Sequence, residues 1–223
     1  MRLLRRVLLP ALATAGAVLY VQKVHRFRDP VRFSPDEAGV VLSPSDGAVS
    51  FVRRVDLGRI ENFDPEISTL VDAPIKRQDG WLIGVVMRPL DVHYTYQPIA
   101  GTVRHIHHRA GDTEAIAAQK LLGLVLRQPT DLLESSGTAN NERYSYTVQS
   151  DLGDITVTQV SLRSALQPLT FVEEGQSARA GNKASFLPNG GLILVHLPAL
   201  VAPQVEVGQE VRGGETVLGR RSS

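Results

Sequence analysis

Met87-Arg-Pro-Leu-Asp-Val-His-Tyr-Thr-Tyr-Gln-Pro98 sets one histidine, His93, between turn residues before a strand pattern resumes. Histidine titrates near neutrality, so such a residue can carry proton transfer, although a hydrogen-bonded core or turn histidine would look the same. Asp46, in Ser43-Pro-Ser-Asp-Gly-Ala-Val49, is a second candidate, with a plain turn aspartate ahead of Gly47 as its structural alternative. A third lies in Arg104-His-Ile-His-His-Arg109, where His105 and His107 would share one face of a strand at a chelating spacing. No third ligand accompanies that pair, so a polar, partly cationic face is the expectation and a metal is not. Lys183 is the lysine placed to form a Schiff base, but no other feature suggests a pyridoxal phosphate fold.

The elements that must position these residues read as short strands. Runs rich in Val, Ile, Thr and Leu are separated by Gly, Pro, Asp and Asn, at 48–55, 81–87, 101–107, 144–149, 155–161, 192–197 and 211–218. Only 114–126 has the uninterrupted helix formers and apolar spacing of a helix, with Asp112-Thr-Glu114 as its capping region. Val172-Glu-Glu-Gly-Gln-Ser-Ala-Arg-Ala-Gly181 echoes Val205-Glu-Val-Gly-Gln-Glu-Val-Arg-Gly-Gly214, and Asp46-Gly-Ala-Val49 echoes Ala100-Gly-Thr-Val103. Generic hairpin chemistry would produce such echoes, and so would the barrel-sandwich hairpins of lipoyl and biotinyl carriers. Neither echo has a lysine at its tip, which argues against a swinging-arm carrier. The expected fold is mainly β (α+β), a single domain of hairpins with one helix.

A chain of 223 residues with 43% apolar and 21% charged residues has the composition of one globular domain. A formal charge of +1 argues against a general nucleic-acid binder, and the absence of cysteine excludes disulfides, thiolate catalysis and thiolate-bound zinc. Arg2, Arg5 and Arg6 precede an apolar run, 7–21, which Lys23, Arg26 and Arg28 follow. As helix the run would extend about 22 Å, short of the roughly 30 Å hydrocarbon layer without Leu3 and Leu4 or local thinning. A basic, apolar membrane anchor over 1–26, holding residues 27–223 at the cytoplasmic face, is expected. A secretory signal ending near Ala13-Thr-Ala15 and a buried N-terminal helix are the alternatives.

Three segments occur in a familiar order: Phe27-Arg-Asp-Pro-Val-Arg-Phe-Ser-Pro35, the Asp46 segment and the His93 segment. With Asn141-Glu-Arg143, Gln159-Val160 and 181–198, the chain resembles the short-form phosphatidylserine decarboxylases from about Phe27 to about Gly219. The resemblance implies conversion of a serine head group to ethanolamine with release of carbon dioxide, on a membrane aminophospholipid. Decarboxylation leaves a carbanion that needs an electrophilic sink. In that family the sink is a pyruvoyl group, made when a serine attacks the preceding peptide carbonyl and the ester eliminates. The resemblance assigns Asp46 and His93 as the aspartate and histidine that assist that serine, as a base oriented by a carboxylate does.

The serine itself is missing. Gly181-Asn-Lys-Ala-Ser-Phe-Leu-Pro-Asn-Gly-Gly191 aligns without a gap with the family segment Gly-Glu-x-x-Gly-x-Ile-x-Phe-Gly-Ser, so the cleaved bond falls between Gly190 and Gly191. Glycine has no hydroxyl to attack and no β-carbon to eliminate from, so no pyruvoyl cofactor can form there. Tyr96 stands where other members carry histidine or arginine, and Leu166 and Gln167 replace arginines that could face a phosphate. Arg163 is then the substitute, with Tyr96, for substrate binding. Ser185 is the remaining candidate nucleophile. The chain is expected to be a silent lipid- or partner-binding homologue, with a homo-oligomer or an active homologue as candidate partners; an active enzyme by a non-standard route is the alternative.

Overall fold

The computed structural model describes residues 24–73 and 79–222, with Thr14, Gly16 and Tyr20. The rest of the 7–21 run lies outside the described residues. Among the described residues, no helix is long and apolar enough to cross a membrane.

The architecture is mainly β, as the strand runs predict. An antiparallel sheet of ten strands runs in the order 177–178, 101–109, 143–150, 153–160, 192–198, 80–86, 47–56, 59–60 and 63–66, with 210–211 pairing on 47–56. Two three-stranded sheets accompany it, one of 40–42, 217–221 and 201–203, the other of 169–170, 183–186 and 94–96. The central strand Leu192–Pro198 is buried at every position, and its side chains feed two cores in alternation. Ile193, Val195 and Leu197 join one cluster, while Leu192 and Leu194 join another with Phe51, Ile67, Leu70, Leu132 and Leu133. Successive side chains point to opposite faces, so a strand covered on both sides reads as a continuous apolar run.

The sequence echoes prove to be one internal duplication. Gly208 N–H donates to the Val49 carbonyl at 2.8 Å and Val49 N–H to Gln209 at 2.9 Å; Gly175 donates to Val103 at 2.9 Å and Val103 to Gln176 at 2.8 Å. Glu210 and Val211 pair with Ala48 and Gly47, as Ser177 and Ala178 pair with Thr102 and Gly101. The turn glycines Gly208 and Gly175 both take positive φ, 88° and 84°, which glycine adopts without the Cβ penalty. The copies also exchange reciprocal bonds, Leu42 N–H to Pro98 O at 2.8 Å and Tyr96 N–H to Pro44 O at 2.7 Å. Shifting each residue by 54 turns one bond into the other, as a local two-fold axis requires.

Three expectations are corrected. The helix begins at Ala118, not Glu114, and its N-cap makes no side-chain hydrogen bond. Asn141 takes both backbone groups of Glu114, accepting its N–H at 2.9 Å and donating to its carbonyl at 2.8 Å, which holds that segment outside the helix. Two further short helices, Ile67–Val71 and Ser136–Asn140, were not predicted. The run 211–218 is interrupted, its strands being Glu210–Val211 and Val217–Arg221 about a turn.

Candidate functional site

His93 and the Gly190–Gly191 bond, 97 residues apart in sequence, meet at one end of the large sheet. The His93 carbonyl accepts the Leu187 N–H at 2.9 Å, Leu187 accepts from Gly190 at 3.0 Å, and the Gly191 carbonyl accepts from Met87 at 3.0 Å. These bonds close the turn 187–190 against the His93 segment. A β-carbon built on Gly190 would stand 3.8 Å from Cε1 of His93, so the imidazole edge faces that residue. The ring is 6% exposed, with its centroid 6.4 Å from that of Phe186. Gly190 has φ of 66° and needs to be glycine.

Gly191 has an ordinary backbone conformation but little room. A β-carbon there would lie 2.9 Å from the Val160 carbonyl oxygen, 3.6 Å from Leu166 Cδ1 and 3.7 Å from Leu187 Cδ1. Leu166 is fixed in place by its N–H donating to Glu142 Oε2 at 2.7 Å, and Asn189 Nδ2 donates to Ala165 O at 2.9 Å. Arg163 is exposed in this same 161–168 loop.

Asp46 anchors a second cluster, next to the Pro44–Tyr96 bond between the two copies. Arg32 Nη2 donates to Asp46 Oδ1 and Oδ2 at 2.8 and 2.9 Å, and Gly213 N–H donates to Oδ1 at 2.8 Å. Arg32 Nε donates to the Tyr96 hydroxyl at 3.3 Å, its guanidinium lies 5.3 Å from the Tyr96 ring centroid, and Glu215 stands 3.7 Å from Nη1. Burial works against the Arg32 charge, but hydrogen bonds to Asp46 and Tyr96 outweigh it and raise its pKa above the ordinary value. Burial likewise raises the Tyr96 phenol, against the opposing bond from Arg32. Tyr96 is only 2% exposed, so it reaches this cluster from inside the protein. The duplication's counterpart of Asp46 is Ala100, so one copy alone bears this carboxylate.

The sequence reading gave Arg32 no role, although it lies in the quoted Phe27–Pro35 segment. That segment is a strap over the small sheet of Tyr94–Tyr96. Phe27 stacks on Phe186 at 5.2 Å, Asp29 pairs with Lys183, and Phe33 N–H donates to Glu215 Oε1 at 3.0 Å. Lys183 thus has a carboxylate partner, and its Nζ lies 4.8 Å from the Tyr94 ring centroid.

Ser185 is fully buried mid-strand, its hydroxyl 2.6 Å from Thr95 Oγ1 and accepting from Gln159 Nε2 at 2.8 Å. His105 and His107 line one open pocket with Asp72 and Glu174, although the strand is irregular there. A bulge between Arg104 and His107 gives His105 a φ of 51° and breaks the alternation. His107 Nδ1 lies 3.0 Å from Asp72 and His108 Nε2 lies 2.7 Å from Glu142. Among the described residues, no group of three His, Asp or Glu is disposed to hold a metal.

The family model for phosphatidylserine decarboxylase matches residues 22–219. The chain belongs to the phosphatidylserine decarboxylase family. It is 33% identical over 208 residues to a phosphatidylserine decarboxylase proenzyme of Paramagnetospirillum magneticum, covering 93% of this chain and 75% of that protein. A phosphatidylserine decarboxylase proenzyme of Novosphingobium aromaticivorans is 31% identical over 195 residues, covering 86% and 69%. Within this family fold, Gly191 offers neither atom from which a pyruvoyl group is made.

Proposed function

We propose that this member of the phosphatidylserine decarboxylase family does not process itself and serves as a catalytically silent, membrane-associated protein that binds an aminophospholipid head group or an active homologue. The observation that carries the reading is Gly191 at the end of the turn beside His93. The base candidate is in place, but the nucleophile is absent and the Val160 carbonyl crowds the space its β-carbon would need. His93 is then a remaining part of the processing machinery and the exposed Arg163 a candidate head-group contact, while Asp46, bonded to Arg32, and Tyr96, 2% exposed, are held in the second cluster. Ser185 does not fit as a substitute nucleophile, because its hydroxyl is engaged by Thr95 and Gln159 away from a turn.

Intact-mass measurement of purified protein tests this. One uncleaved chain, with no release of carbon dioxide from phosphatidylserine vesicles, is expected. Two fragments together with carbon dioxide release would overturn the reading, and the mapped cleavage point would identify the nucleophile. The anchor is tested separately by fractionation: the full chain is expected with membranes, and high-yield recovery in the soluble fraction would remove it.

A further inference from the structure

The turn beside His93 carries a second reactive pair, Asn189-Gly190, which serine-driven processing does not use. It is the chain's only Asn-Gly sequence, since Asn62, Asn140, Asn141 and Asn182 are each followed by a residue with a β-carbon. An asparagine side-chain amide can be attacked by the backbone nitrogen of the next residue, closing a five-membered succinimide ring. A β-carbon on that next residue hinders the closure, and glycine removes it. Asn189 is exposed, so water reaches the ring once it has formed.

Attack needs a base for the Gly190 N–H, and the fold sets one beside it. A β-carbon on Gly190 would stand 3.8 Å from Cε1 of His93, and imidazole is a base near neutrality. We propose that Asn189 is a self-modification site, at which His93 assists the Gly190 nitrogen in displacing the Asn189 amide. The bond from Gly190 N to Asn189 Cγ forms as the Cγ–Nδ2 bond breaks; the Gly190 proton passes to His93 and then to the leaving ammonia. Water opens the succinimide at either carbonyl, leaving aspartate or isoaspartate. The Gly190 N–H donates to Leu187 O at 3.0 Å, so this turn bond opens before each attack.

The product changes the loop that covers Gly191. Asn189 Nδ2 donates to Ala165 O at 2.9 Å, next to Leu166, whose Cδ1 is 3.6 Å from the β position of Gly191. A carboxylate in place of that amide turns a donor into a charge facing a carbonyl oxygen, and the tie between turn and loop is lost. The reaction involves no lipid and leaves the chain in one piece.

Incubating the full-length protein in mildly alkaline buffer, followed by peptide mapping that separates Asp from isoAsp forms, tests this. The peptide bearing Asn189 is expected to gain about 1 Da as ammonia appears in equal amount, while peptides bearing Asn62, Asn140, Asn141 and Asn182 stay unchanged. With an imidazole as the base, the rate should level off above neutrality, where the neutral ring predominates. His93→Gln should slow the conversion about tenfold or more and make it rise in proportion to hydroxide. An unmodified Asn189 in the folded protein, under conditions that convert it in the same chain unfolded in urea, would overturn the proposal. A His93→Gln rate equal to the parent's would do the same. So would a parent rate proportional to hydroxide throughout, which decides the matter even where His93→Gln does not fold.

Discussion

Gly191 is packed so closely under Val160 that a β-carbon on the glycine would stand 2.9 Å from the Val160 carbonyl oxygen. Restoring serine therefore requires the backbone of the neighbouring strand to move. Gly191→Ser is expected to cost about 1–3 kcal/mol, the range for overpacking a well-filled site, read as a lower urea midpoint. An unchanged midpoint would show that Val160 yields freely. Cleavage after Gly190 in this variant, seen by mass, would show that the His93 geometry is still competent.

Arg32 and Asp46 form an ion pair with side chains 9% and 15% exposed, and it pins the strap. Removing one partner leaves the other charge in a poorly hydrated site. Arg32→Met should cost about 3 kcal/mol and expose the strap to limited proteolysis. The double variant with Asp46→Asn should recover part of that loss. Additive losses in the double variant would mean that the two charges are not coupled.

The Asn141-Glu-Arg143 segment acts as scaffold. Asn141 Nδ2 donates to the carbonyls of Glu114 and Ser161 at 2.8 Å, and the fully buried Arg143 donates to the carbonyls of Thr69, Leu70, Thr138, Ala139 and Asn141. Asn141→Asp keeps the shape but turns two donors into a charge facing carbonyl oxygens. A loss of about 3 kcal/mol or failure to fold is expected, against about 1 kcal/mol or less if the segment is merely a surface loop.

Burial raises the pKa of Tyr96, Tyr144 and Tyr146, and the Tyr146 hydroxyl has no hydrogen-bond partner among the described residues. Above about pH 10 the unfolded phenols lose protons that the folded ones keep. The folded state then binds more protons, so these residues remove stability as pH rises. Burial lowers Arg143 from 12.5 to about 10, which works in the opposite sense above pH 10. Tyr146→Phe should therefore gain about 1 kcal/mol at pH 7 and lose less than the parent by pH 10.5 in urea titrations. Equal losses in the two proteins would refute the assignment to Tyr146.

The strands of the large sheet were legible because their β-branched runs and Gly or Pro boundaries are local. The duplication was legible because each copy repeats a hydrogen-bonding turn that specifies its own residues: glycine for positive φ, and glutamine whose side chain accepts the Glu173 or Glu206 N–H. The helix start was misplaced because helix formers at 114–117 carry no record of Asn141, which takes the backbone groups of Glu114 from 27 residues away, or of Leu162, whose carbonyl takes the Ile116 N–H.

The sequence by itself determined that position 191 has no hydroxyl and no β-carbon, since that is covalent composition and no fold can alter it. Tertiary structure alone decided that His93 faces Gly190, that Asp46 is committed to Arg32, and that the strap turns Val31 and Phe33 outward. An extended segment has two faces and a chain many partners; which face is buried, and which charges meet, is settled only when distant segments pack together and water is excluded between them.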